Sequence, residues 1–105
     1  MKDKVDLQGL ITLDHKQPWI LLYFNTSWCA PCKDMVQIMD DVSIQYVDQL
    51  NLVKIDVDNN IELARECGVK GVPTLVLLDK LSNKSSLVGG VTRTQLNNWL
   101  NTQLA

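Results

Sequence analysis

The 105-residue sequence has no basic block, no long apolar run, no internal repeat and no low-complexity segment, and it holds one histidine and three cysteines. Each scarcity excludes something. With 10 Lys and Arg against 12 Asp and Glu, the formal net charge is -2, which argues against a nucleic-acid footprint. No apolar run is long enough to span a bilayer. Met1-Lys2-Asp3-Lys4-Val5-Asp6 alternates in charge, and the apolar stretch after it is interrupted at Gln8, Gly9, Thr12 and Asp14. This is not the pattern of a signal peptide, so unless a leader has been removed the expected compartment is the reducing cytoplasm. There a CxxC pair is catalytic or metal-binding more often than structural. Asp40-Asp41 and Asp56 to Asp58 offer too few oxygen ligands at set spacing for a calcium loop and read as a solvated face and a strand-to-helix turn.

What is present suits one ordinary globular domain over residues 1–105. The apolar share is 46% and the charged share 21%, and a chain of this length buries close to two-thirds of the surface its unfolded form exposes.

The chain is organised around Trp28-Cys29-Ala30-Pro31-Cys32-Lys33, between an apolar run ending at Phe24 and a helical pattern beginning at Pro31. Three cysteines cannot all pair internally. A ring closed between Cys29 and Cys32 is so short that loop-closure entropy gives it only roughly 2 kcal/mol of stabilisation. The spacing therefore points to a disulfide that forms and breaks. Cys29 is expected at or just before the helix start, where unpaired N–H groups and the helix dipole favour a thiolate, which makes it the nucleophile. Pro31 has no N–H to donate, so the amide of Cys32 is the first donor able to support the Cys29 sulfur. Cys32, one turn further in and more shielded, is the resolving thiol: Cys29 attacks a substrate disulfide, and Cys32 then displaces the reduced substrate. A zinc set of Cys29, Cys32, Cys67 and His15 competes with this reading but lacks the second closely spaced pair of structural zinc sites.

Along the chain, residues 5–15 read as a short strand then a helix, weakened at Gly9 and closed by His15, Lys16 and Pro18. Trp19 to Phe24 is a continuous apolar run that suits a central strand covered on both faces. A long helix with Met35, Val36, Ile38, Met39, Val42, Ile44, Tyr46 and Val47 along its stripe is expected from Pro31 to about Asp48. Asn51 to Val57 reads as a second strand. Asp58-Asn59-Asn60 then offers a cap for a helix over Ile61 to Cys67, which Gly68 stops. Pro73 to Asp79 and Ser85 to Val88 are two further strands, and Thr92 caps a last helix with Leu96, Trp99, Leu100 and Leu104 facing inward. The order β-α-β-α-β-α-β-β-α predicts an α/β fold: a mixed central sheet flanked by helices on both faces, with the CxxC beyond a strand's carboxyl end.

Gly71-Val72-Pro73-Thr74 is the other marker. Proline cannot donate to a sheet ladder. Pro73 is either a plain strand-start proline or, together with the CxxC, a cis Val72–Pro73 bond facing the thiols.

With both motifs placed, the chain resembles the thioredoxin family over nearly all of its length. The Trp-Cys-x-Pro-Cys-Lys motif, Val-Pro-Thr after a glycine, the Val88-Gly89 pair and the element order sit at the family's spacing. The resemblance implies a thioredoxin fold and a protein-disulfide reductase in which Cys29 attacks and Cys32 resolves. It implies that Pro73 is a cis proline, with Val72 offering its backbone to an extended substrate. Trp28, Ala30, Pro31, Gly71, Val72, Gly89 and Gly90 would form a flat, largely apolar contact surface. Lys54 matches a lysine near the buried end of the family's active site. No tightly bound cofactor is implied; electrons would come from NADPH through a thioredoxin reductase or equivalent donor. The partners would be disulfide-containing proteins, with neither nucleic acid nor membrane involved, and the chain would be a monomer. Two other readings stay open: a dithiol oxidase or isomerase of more oxidising potential, and a docking module whose cysteines are incidental.

Four positions depart from the family. A buried aspartate six residues before the nucleophile, thought to help move a proton at the resolving cysteine, is here Tyr23. With an ordinary pKa of about 10, a tyrosine is a poor base near neutral pH but can donate or relay a hydrogen bond. The resemblance therefore implies slower resolution or a shifted potential. Ala30 replaces a glycine. Gln37 replaces a kinking proline, so a straighter helix is expected, and Asn83 is the candidate left-handed residue of a hairpin without glycine. Cys67 reads as a small buried apolar side chain. Met35, Met39, Trp19 and Trp99 read as core or rim, and His15 carries no catalytic role.

Overall fold

A seven-residue strand, β1 (Trp19–Asn25), lies inside a sheet that has four strands among the described residues, and both of its faces are covered. In the computed structural model residues 9–10, 17–81 and 84–104 are described. The expected first strand and helix over residues 5–15, including His15, lie outside these residues apart from Gly9 and Leu10, which are helical. So does Asn83.

Two helices, α1 (Ala30–Asp34) and α2 (Val36–Gln45), follow β1, and β2 (Leu50–Asp56) returns to pair with it in parallel. A single turn at Val57–Asn59 then leads into α3 (Ile61–Glu66). The hairpin strands β3 (Thr74–Asp79) and β4 (Lys84–Val88) and the helix α4 (Arg93–Leu104) complete the order. Strand order is β2-β1-β3-β4, with β1/β3 and β3/β4 antiparallel. The mixed sheet with helices on both faces is as expected.

Alternation along β1 sorts its side chains between two cores. Leu21 and Tyr23 join Met39 and Val42 of α2, Tyr46 just past its end, and Leu96 and Leu100 of α4 on one face. Ile20, Leu22 and Phe24 join Leu63, Ala64 and Cys67 on the other. Being buried on both sides, the strand needs the unbroken apolar run seen in its sequence.

The helix ends follow local chemistry. Thr92 and Gln95 form a reciprocal capping box at the start of α4: Gln95 N–H donates to Thr92 Oγ1 at 3.1 Å, and Thr92 N–H donates to Gln95 Oε1 at 2.9 Å. Gly68 ends α3 with a φ of +74°, a conformation that side chains disfavour. Asn60 stands at the start of α3 but turns its amide back to the Asp56 carbonyl at 3.0 Å.

The long helix is a correction. It is not continuous from Pro31 to Asp48, because it breaks at Met35 and ends at Gln45. The Cys32 carbonyl accepts the Met35 N–H at 3.1 Å, a three-residue bond, and also the Tyr23 hydroxyl at 3.2 Å. A side chain from the sheet has entered the helical ladder, a recognised cause of kinks.

Candidate active site

Cys29 and Cys32 are joined in a disulfide, with their Cα atoms 5.2 Å apart. Strand β1 delivers them: its last residues are followed by a turn in which Cys29 N–H donates to the Thr26 carbonyl at 3.4 Å. Cys29 is the N-cap of α1, with extended backbone (φ -82°, ψ 111°), and Ala30 and Pro31 open the helix. The first helical residue is therefore Ala30, one earlier than expected. The Cys29 Sγ accepts the Cys32 N–H at 3.1 Å, the donor that a proline at position 31 leaves available. An amide aimed at this sulfur favours the thiolate once the bond is reduced.

One expectation fails. Cys32 is not the more shielded partner, since Cys29 is 3% exposed and Cys32 4%. In the joined state both residues are almost fully buried, and burial does not tell them apart. What does differ is position, because only Cys29 sits outside the helix with an amide directed at it.

The second motif comes to the same place. The Val72–Pro73 peptide bond is cis. Pro73 immediately precedes Thr74, which pairs with Phe24 near the end of β1. Its carbonyl accepts the Gly89 N–H at 2.9 Å. Gly89 has a φ of +93°, which glycine alone adopts at little cost. A Cβ on Gly90 would stand 3.4 Å from Pro31 Cβ, so this glycine lies directly against the CxxC turn. Trp28, Gly71 and Val72 line a shallow hollow with Thr26, Val57 and Val69. Trp28 is 68% exposed, and Ala30, Pro31 and Gly71 are exposed beside it. Of the expected contact residues, Trp28, Gly71 and Val72 share this hollow, and Gly90 stands against Pro31.

Beneath the other side of α1 lies a cavity of about 160 Å³, lined by Tyr23, Cys32, Lys33 and Lys54 among others. Tyr23 faces Lys54 across the β1/β2 register. Lys54 itself is exposed and ion-paired with Asp40 at 3.3 Å. Burial pushes the Tyr23 hydroxyl above its ordinary pKa of 10.0, so it stays protonated and donates at neutral pH. The competing zinc set does not gather among the described residues. Its two paired cysteines are joined to each other, Cys67 is buried in the opposite core, and His15 lies outside the described residues.

Two residues escaped the sequence. Asp58 accepts the Trp28 indole N–H at 3.0 Å. Thr26 borders both hollows, and among the described residues its buried hydroxyl has no hydrogen-bond partner. The parallel pairing of Asn25 with Asp56 puts the loops after β1 and β2 side by side, which is the only signal that could have linked Trp28 to Asp58.

A mixed sheet carrying a disulfide at a helix start, with a cis X–Pro bond beside it, defines a thiol–disulfide exchange protein. The sequence profile of the thioredoxin family matches residues 10–102. The chain is 33% identical over 85 residues to thioredoxin 1 of Synechococcus elongatus, covering 81% of this chain and 79% of that protein. It is 34% identical over 82 residues to the thioredoxin of Haemophilus influenzae, covering 78% and 77%. A mutant thioredoxin from Halobacterium salinarum superposes with a TM-score of 0.79 at 28% identity, over 97% of this chain and 89% of that one. The chain belongs to the thioredoxin family and has its fold. It is a thiol–disulfide oxidoreductase. Among the described residues no helix is long and apolar enough to cross a membrane, and no three His, Cys, Asp or Glu side chains gather as a metal site.

Proposed function

We propose that the protein is a protein-disulfide reductase. The observation that carries this reading is the Cys29 sulfur at the mouth of α1, supported by the Cys32 amide and set beside an exposed tryptophan. In the dithiol state Cys29 attacks one sulfur of a client disulfide, and the other client sulfur leaves as a thiolate. Cys32 then loses its proton and attacks Cys29, which re-forms the ring and frees the reduced client. Two electrons pass from protein to client.

Trp28, Ala30, Pro31, Gly71, Val72, Gly89 and Gly90 receive the client chain. Val72 offers backbone groups next to Pro73, and an exposed apolar surface of this kind fits an extended segment. Lys54 and Tyr23 support the buried side. The chain works as a monomer in the cytoplasm and binds neither nucleic acid nor membrane. Its electrons come from NADPH through a reductase. A reducing compartment is where an exchange-competent pair with no structural disulfide is useful.

Insulin reduction coupled to a dithiol donor tests the reading. Turnover is expected in the parent and is lost in both Cys29→Ser and Cys32→Ser, and titration against glutathione is expected to give a reducing potential. Full biological activity in the doubly substituted protein would favour a docking module instead, and a strongly oxidising potential would favour an oxidase or isomerase.

A further inference from the structure

The helix break at Met35 has a cause in the sheet, and that cause touches the backbone of the second cysteine. The Cys32 carbonyl takes two donors, Met35 N–H and the Tyr23 hydroxyl. Tyr23 is held in register with Lys54 on one side and Leu75 on the other, in a strand packed on both faces. Its hydroxyl is therefore a fixed point, and the first turn of α1 hangs from it. Raised by burial, this hydroxyl donates but does not accept a proton at neutral pH.

The adjoining cavity has room for several waters, at about 30 Å³ each in the liquid. Asn25, Thr26 and Ser27 give it polar walls, and among the described residues none that lines it is Asp or Glu. The Asp40 carboxylate is paired with Lys54 at the exposed surface.

We propose that Tyr23 is a positioning residue for ring closure: its hydroxyl holds the Cys32 carbonyl so that the Cys32 sulfur meets Cys29. The Cys32 proton leaves to water in the adjoining cavity and not to a side-chain carboxylate. In that step the Cys32 thiolate attacks Cys29 Sγ. The Cys29–Cys32 bond forms, the bond from Cys29 to the client breaks, and the client leaves as a thiolate that takes a proton from water. This rests on the reductase reading.

Rapid mixing of the reduced protein with the aromatic disulfide dithionitrobenzoate separates the two steps, because attack by Cys29 and closure by Cys32 each release one coloured thiolate. In Tyr23→Phe the first release is expected at the parental rate and the second about fivefold slower, the factor for losing one net hydrogen bond. The logarithm of the second rate is expected to rise with pH along a single thiol ionisation in both proteins. The disulfide–dithiol equilibrium against glutathione is expected to move about fivefold toward the dithiol, about 20 mV for a two-electron couple. A merely structural hydroxyl would move neither the potential nor the ratio of the two rates. If Tyr23→Phe lowers the folded fraction, both releases fall together and the ratio still reports the clamp. Closure at the parental rate and potential would overturn the proposal, as would an ionisation in the closure profile that vanishes with the hydroxyl. Failure of the reductase reading would look different: the parent would show both releases and leave insulin intact.

Discussion

The indole Nε1 of Trp28 donates to the Asp58 carboxylate at 3.0 Å, which ties the exposed ring beside Cys29 to the turn that follows β2. Because β1 and β2 are parallel and in register, their outgoing loops leave the same sheet edge. The Trp28 ring is thus anchored to a second element and does not hang from the CxxC loop alone.

Asp58→Ala frees the indole and leaves both cysteines in place. Steady-state insulin reduction is expected to show KM raised about fivefold with kcat little changed, the size of one lost hydrogen bond. Asp58→Asn, whose amide oxygen still accepts, is expected to recover most of the loss. Equal KM values in Asp58→Ala and the parent would mean that the ring's position does not govern client binding.

Phe24 is completely buried, and it pairs with Ile55 of β2 and Thr74 of β3 just before the active-site turn. Phe24→Ala is expected to cost about 3–5 kcal/mol through lost burial and the cavity left behind. Urea denaturation followed by circular dichroism measures it. A loss under about 1 kcal/mol would show that the core beneath the site collapses around the gap.

These contacts mark what the sequence could and could not disclose. The Trp19 to Phe24 run announced a central strand because burial on both faces leaves no room for polar alternation. The CxxC announced the site because few other uses fit its spacing, and only beside it did Val72–Pro73 read as more than a strand start. The Thr92 cap was equally legible, since Thr92 and Gln95 lie one turn apart. The break at Met35 was not, for a helical stripe carries no trace of a hydroxyl arriving from Tyr23 on another element. The near-equal burial of Cys29 and Cys32 depends on what packs around the joined pair, which helical position alone does not fix. Asp58 looked like any turn carboxylate until the strand register set it beside Trp28.

Alkaline pH is expected to lower the stability of the oxidised protein in steps. Burial raises the Cys67 thiol above its ordinary 9.0, and it raises the Tyr23 and Tyr46 hydroxyls above 10.0. Each folded form holds a proton that the unfolded chain releases, so stability is full below the ordinary value and falls as pH rises toward the folded one. Cys67→Ala is expected to flatten the fall that begins near pH 9.0, and Tyr46→Phe the part above 10.0. Urea midpoints taken across this range check both. An unchanged slope in Cys67→Ala would show that this thiol titrates alike in both states.

The role of Cys29 is tested most directly by trapping. Cys32→Ser protein is mixed with a disulfide-containing client, alkylated, digested and mapped by mass spectrometry. The account predicts a stable covalent complex joined through Cys29, absent when Cys29→Ser is used instead. A complex joined through Cys67, or client reduction that persists in Cys29→Ser, would contradict it.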